Sequence, residues 1–155
     1  MMNSYMKMAV ESAREGIQKN EGGPFGACIV LHEKILAVTH NTVLAEKDPT
    51  CHAEMNAIRA ACKILGQFDL SGCEIFSTAE PCPMCLAAIY WARISKIHIG
   101  VRRHVAHEYG FDDDRFYQDL KLSMEQRPIP ASIGVLQEEC HELFEEWKKL
   151  GRPLY

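Results

Sequence analysis

Four side chains of this chain are best suited to chemistry. His52 and Glu54 lie in the run Cys51-His52-Ala53-Glu54, and Cys82 and Cys85 in Pro81-Cys82-Pro83-Met84-Cys85. One imidazole and two thiolates make three ligands for zinc. Tetrahedral zinc takes four, and a corner left to water separates a catalytic site from a structural one closed by protein. The set therefore predicts one Zn2+ per subunit, with water or hydroxide in the fourth position. Bound zinc lowers the pKa of water from 15.7 toward about 7. Glu54, which need not be a ligand, is then available to take the water proton and pass it on, work worth roughly 10² to 10⁴ in rate.

Taken singly, each residue has a plainer reading: a redox-active C-x-x-C, a satisfied core histidine, a solvated helix carboxylate. Together they favour the metal. Cys51 lies about 100° around a helix from its neighbour His52 and is read as packing. Cys28, Cys62, Cys73 and Cys140 lie in or beside apolar runs, where free cysteine is commonly buried. His104 and His107, beside Arg102 and Arg103, read as a solvated face.

The elements that must position these groups follow from periodicity. Met6, Ala9, Val10, Ala13 and Ile17 form a helical stripe over 4–19. Two apolar runs, 27–31 and 35–38, flank His32-Glu33-Lys34 as a hairpin. A helix is expected from His52 to Leu65, stopped by Gly66. A strand over 74–77 leads into a helix opened by Pro83 and running through Ala92. Ile94 to Val101 reads as a strand, Ile133 to Leu136 as a last strand, and Cys140 to Leu150 as a helix with Leu143, Phe144, Trp147 and Leu150 on one face. Strands interleaved with helices predict one mixed sheet covered on both faces. The helices starting near His52 and Pro83 are expected to converge by their N-termini.

The 155 residues fit one domain over 1–155 with a substantial core. A net charge of −4 argues against a protein whose main task is gripping nucleic acid. Seven cysteines, an odd number, with no basic and apolar leader, fit a reducing, cytoplasmic setting. No apolar run approaches the roughly 20 residues that span a bilayer, so no membrane partner is expected.

At the H-x-E and P-C-x-x-C runs the chain resembles the cytidine deaminase-like superfamily of zinc deaminases, and within it the bacterial guanine deaminases. The resemblance covers Gly22 to Ala27, Asn41, Asp48 to Glu54, Glu80 to Cys85, Ala88 to Arg93, Gly110-Phe111-Asp112-Asp113 and the terminal Tyr155. It implies an α/β fold of three α/β/α layers with a mixed five-stranded sheet flanked by helices. It implies a homodimer in which the C-terminal segment is exchanged, with active sites near the interface. It implies His52, Cys82 and Cys85 as zinc ligands, Glu54 as proton shuttle, and Asn41 and the Ala53 backbone as hydrogen-bonding partners of a small purine. Phe25 and Trp91 look like pocket walls. Asp113 and Tyr155 would complete the site, in their own subunit or the partner's. The implied reaction is attack of zinc-bound hydroxide on C2 of guanine, giving xanthine and ammonia. Guanosine deamination, tRNA adenosine deamination and a structural zinc module remain open at this point.

Overall fold

A computed structural model describes residues 2–155. The chain comprises two compact units, one ending at Asp113 and one spanning Asp114–Tyr155. The first holds, in chain order, α1 (Met2–Gln18), β1 (Gly26–Leu31), β2 (Lys34–His40), α2 (Val43–Glu46), α3 (Ala53–Leu65), β3 (Cys73–Ala79), α4 (Pro83–Trp91), β4 (Lys96–Val101) and α5 (Arg103–Glu108).

The sheet runs β2-β1-β3-β4, with β1 antiparallel to both neighbours and β3 parallel to β4. It is mixed, as expected, but four-stranded among the described residues rather than five-stranded. The strand expected over 133–136 does not form. Gly134 (φ 80) and Leu136 (φ 49) are left-handed, so the run cannot stay extended, and Ile133, Val135 and Leu136 remain exposed.

Strand pleating sends alternate residues to opposite faces. Ala27 and Ile29 of β1 join a core with Ala53, Ala57 and Ile58 of α3 and Ile89 of α4. Cys28 and Val30 join a second cluster with Ala9 of α1 and Phe76 of β3. Helices therefore cover both faces, giving the expected three layers, and β1 is apolar throughout because neither face meets water. The hairpin turns on His32 and Glu33, both at positive φ (46° and 67°), the form whose twist matches paired strands. A register shift between Ile29 and Val30 skips Leu36, and this bulge lets Leu36 and Ala37 enter the same core. α3 stops where expected, at Gly66, which is left-handed and donates its N–H to Cys62 O.

In the second unit α6 (Asp114–Asp119) and a 3₁₀ turn (Met124–Gln126) precede α7 (Gln137–Lys149), which begins three residues before the expected start. None of the described residues 114–155 is buried. No helix among the described residues is long and apolar enough to cross a membrane.

α1 lies tight on the sheet: a Cβ added at Gly26 would run into the Ala9 carbonyl oxygen. Gly26→Ala is expected to cost about 1–3 kcal/mol, the usual range for overpacking, read by urea unfolding. Native stability in that variant would mean that α1 moves away freely.

Candidate metal centre

His52 and Cys82 are the N-caps of α3 and α4, both in extended backbone (φ/ψ −68/157 and −64/168). An N-cap lies half outside its helix, so its side chain is released from the helical spacing that would separate His52 from Glu54. Pro83 takes the first helical position of α4, where a missing N–H costs nothing, and Cys85 follows one turn after Cys82. His52 Nδ1 consequently lies 3.6 Å from Cys82 Sγ and 3.5 Å from Cys85 Sγ, and all three atoms fall within 4.8 Å of one another. Tetrahedral zinc with Zn–N about 2.0–2.1 Å and Zn–S about 2.3 Å sets a nitrogen–sulfur edge of about 3.6 Å. The three groups already stand at the spacing of ligands on one ion. Cys51 takes another direction, its Sγ 3.7 Å from Arg59 Nη1.

The approach to His52 is braced by short-range hydrogen bonds. Asp48 Oδ1 accepts from the Thr50 N–H and the Thr50 hydroxyl, each at 2.7 Å. Asn56, one turn into α3, donates from Nδ2 to His40 O (3.0 Å) and Thr42 Oγ1 (2.9 Å), joining the end of β2 to the helix that carries His52. Thr39 Oγ1 donates to Ala53 O. That occupies the Ala53 carbonyl, and its N–H, in the first helical turn, belongs to the donors that lack an intrahelical partner.

Protonation follows from this crowding. The Cys82 thiol is drawn down to about 4, chiefly by its hydrogen bond with Cys85, with His52 adding to it against the cost of burial. The same sulfur contact, burial and the nearby Glu54 push Cys85 up. His52 is raised, first by the Cys82 hydrogen bond. Burial raises Glu54 well above the usual carboxylate range. Its Oε2 lies 3.5 Å from Cys85 Sγ, while Ser77 Oγ donates to Oε1 at 3.0 Å. Glu54 and the three candidate ligands therefore border one space, with the carboxylate only 6% exposed.

A second group stands at the end of β2. Asn41 is 5% exposed, and its Oδ1 accepts from Gly23 N (3.3 Å) and Val43 N (3.1 Å). Those bonds orient the amide, so what it offers a ligand is its NH₂. Gly22 is required there, because an added Cβ would strike both the carbonyl oxygen and Oδ1 of Asn41. Phe25 meets Phe111 edge to face, ring centroids 4.9 Å apart at 86°. Glu80 accepts from the Arg103 N–H, pinning the start of α5, from which the chain returns to Phe111.

Not every expected site residue joins this group. Trp91 is the last residue of α4, nine positions after Cys82 and so about 13 Å along the helix at 1.5 Å per residue. It is 67% exposed and lines an open cavity of about 420 Å³ with Ala87, Tyr90 and Arg93. Asp113 closes the first unit, two residues beyond Phe111 and half-buried. Tyr155 is an exposed residue of the second unit. Two residues at the site went unread in the sequence, Ser77 and Asn56, and Phe111 was read there only as part of a matching run, without a partner. The alternation of β3 carried the signal for Ser77, a hydroxyl at an inward position between Ile75 and Ala79.

Residues 2–101 match the family model for the cytidine and deoxycytidylate deaminase zinc-binding region, and the chain belongs to that family. It is 43% identical over 148 residues to the guanine deaminase of Bacillus subtilis, covering 96% of this chain and 94% of that protein. The crystal structure of the B. subtilis guanine deaminase superposes with a TM-score of 0.93 at 40% identity, covering 99% of this chain and 97% of the other. A tRNA-specific adenosine deaminase of B. subtilis is 41% identical over 141 residues, covering 88% of this chain and 81% of that protein.

The Asp48 turn gives a pH test. Thr50's two donors hold the Asp48 carboxyl below its ordinary 3.8. A depressed folded value means stabilisation that is present above the unfolded pKa and is lost as pH falls through the folded one. The melting temperature of Asp48→Ala is expected below native at neutral pH, with the gap closing on acidification through the carboxylate range. A gap that stays constant would show that the charge on Asp48 is not what holds the turn.

Proposed function

We propose that this protein hydrolyses guanine to xanthine and ammonia. Family membership supports a zinc-dependent hydrolytic deaminase. The observation that carries the choice of guanine is the superposition on the B. subtilis guanine deaminase over 99% of the chain, at a TM-score of 0.93.

His52, Cys82 and Cys85 would hold one zinc per subunit, with a fourth corner for water. When bound there, zinc supplies the Lewis acidity that makes water deprotonable near neutral pH. Glu54 would take the first water proton on its carboxylate and give it to a ring nitrogen beside C2 as oxygen adds there; it would then take the proton of the added hydroxyl and give it to the amino group, which leaves as ammonia while the C2 carbonyl forms. Asn41, its oxygen held by Gly23 and Val43, donates through its NH₂ to an acceptor of the base, and the Ala53 N–H donates beside it. Phe25, backed by Phe111, offers an aromatic face to the planar ring. A site built to bond one pattern of donors and acceptors rejects analogues lacking it by orders of magnitude. Asp113 is assigned as a further catalytic group and Tyr155 as a further substrate contact, while Trp91, about 13 Å along α4 from Cys82, would reach substrate only from a partner subunit.

A homodimer is part of this reading. α4 has no polar face: its run is Pro-Met-Cys-Leu-Ala-Ala-Ile-Tyr-Trp, with Tyr90 71% exposed. A helix apolar all round calls for cover. The unburied apolar residues of the second unit, Phe144 and Leu143 among them, call for it equally. A cytoplasmic setting agrees with the seven free cysteines.

The reading is tested by ammonia release from guanine, guanosine, adenine, cytosine and amino-triazines. Guanine is expected to be the preferred substrate. Activity confined to guanosine would defeat the free-base assignment, and tight, salt-sensitive tRNA binding with adenosine conversion would transfer the protein to the other branch. Glu54→Ala is expected to keep its zinc while kcat falls about 10² to 10⁴-fold, measured by elemental analysis alongside turnover.

A further inference from the structure

Ser77 occupies a position that an apolar residue would normally fill. It sits in β3, which lies between β1 and β4, with its backbone paired to Ala27 on one side and Ile99 on the other. Pleating puts it on the same face as Cys73 and Ile75, which pack into the α3 and α4 core. At 2% exposed it has no access to water. A buried hydroxyl costs stability unless bonded, and the single Ser77 O–H lies within reach of two acceptors, Glu54 Oε1 at 3.0 Å and the carbonyl oxygen of Ala79 at 2.7 Å, so its one proton is shared between them.

The contact fixes more than a distance. Glu54 is the second residue of α3, and an unrestrained carboxylate rotates about its terminal torsion, which has broad wells. Oε1 is held by Ser77 from the sheet, and Oε2 is thereby turned toward Cys85 Sγ, 3.5 Å away. The two oxygens are not equivalent: one is tethered and the other faces the candidate metal centre.

We propose that Ser77 is the positioning residue for Glu54, tethering Oε1 so that Oε2 alone faces the centre and exchanges the proton. This rests on the reading of Glu54 as the shuttle. The tether acts through Glu54 and touches no substrate, so its loss slows turnover without weakening substrate binding. A hydrogen bond to a charged group contributes about 1.5–3 kcal/mol, which corresponds to a fall in kcat of about 10- to 100-fold.

The decisive comparison is Ser77→Thr against Ser77→Val, two side chains of the same shape that differ in the hydroxyl; Ser77→Ala is measured beside them. Zinc content, melting temperature, kcat and KM for guanine are recorded for each, with Glu54→Gln in parallel. The expected result is that Thr retains most of kcat while Val and Ala lose about 10- to 100-fold, at native zinc content and with KM within about twofold. Equal kcat in the Thr and Val variants overturns the proposal, as does a loss that appears in KM or tracks loss of zinc or of fold. If Glu54→Gln keeps its turnover, the shuttle assignment has failed instead, and the Ser77 result is then read as bearing on that failure.

Discussion

Two helices from different parts of the chain must start at one point in space, because His52 and Cys82 lie 30 residues apart and yet bring nitrogen and sulfur to 3.6 Å. Neither helix can arrange this alone. α3 is laid on the sheet by Ala53, Ala57 and Ala61, whose small side chains allow close approach, together with Ile58, and α4 is laid beside it by Ile89 and Ala92. The pairing of β1 with β3 then fixes where α4 begins, since only three residues lie between β3 and α4. The metal-binding geometry is thus a product of core packing.

Around that point the structure tolerates groups that a core normally refuses. Glu54, Asn41 and Ser77 are its buried polar residues. Each is matched by groups close by: the Gly23 and Val43 amides serve Asn41, and the one Ser77 proton is shared between Glu54 and the Ala79 carbonyl. A carboxylate removed from water is more basic than a free one, which suits the proton transfer proposed for Glu54. The cluster of polar side chains also limits what the surrounding backbone can be, as Gly22 illustrates at Asn41.

Long elements with a clean period were legible in the sequence. α1, the β1–β2 hairpin, α3 with its glycine stop and α4 with its opening proline each carried local signals that the tertiary structure respects. α2, α5 and α6 were missed because helices of four to six residues are too short to display a stripe. The run at 133–136 was misread because alternating β-branched residues resemble a strand, whereas the left-handed Gly134 and Leu136 decide its path. At the site, spacing marked His52, Glu54, Cys82 and Cys85, since ligand chemistry restricts residue type. Ser77 and Asn56 escaped notice because the contacts that tie them to the site, to Glu54 and to Thr42, span 23 and 14 residues of chain, and the partner of Phe111 lies 86 residues away at Phe25; no local pattern encodes such pairings.

β3 alternates its side chains between two environments, and this has an outcome for the catalyst as a whole. Moving the strand by one residue against β1 would turn Phe76 or Thr78 into the place of Ser77 and rotate the Cys82–Cys85 turn away from His52. No intermediate alignment keeps half of the machinery. Heat or mutation that lets this strand slide will extinguish catalysis in one step rather than erode it, so residual turnover in a damaged sample counts intact sheets.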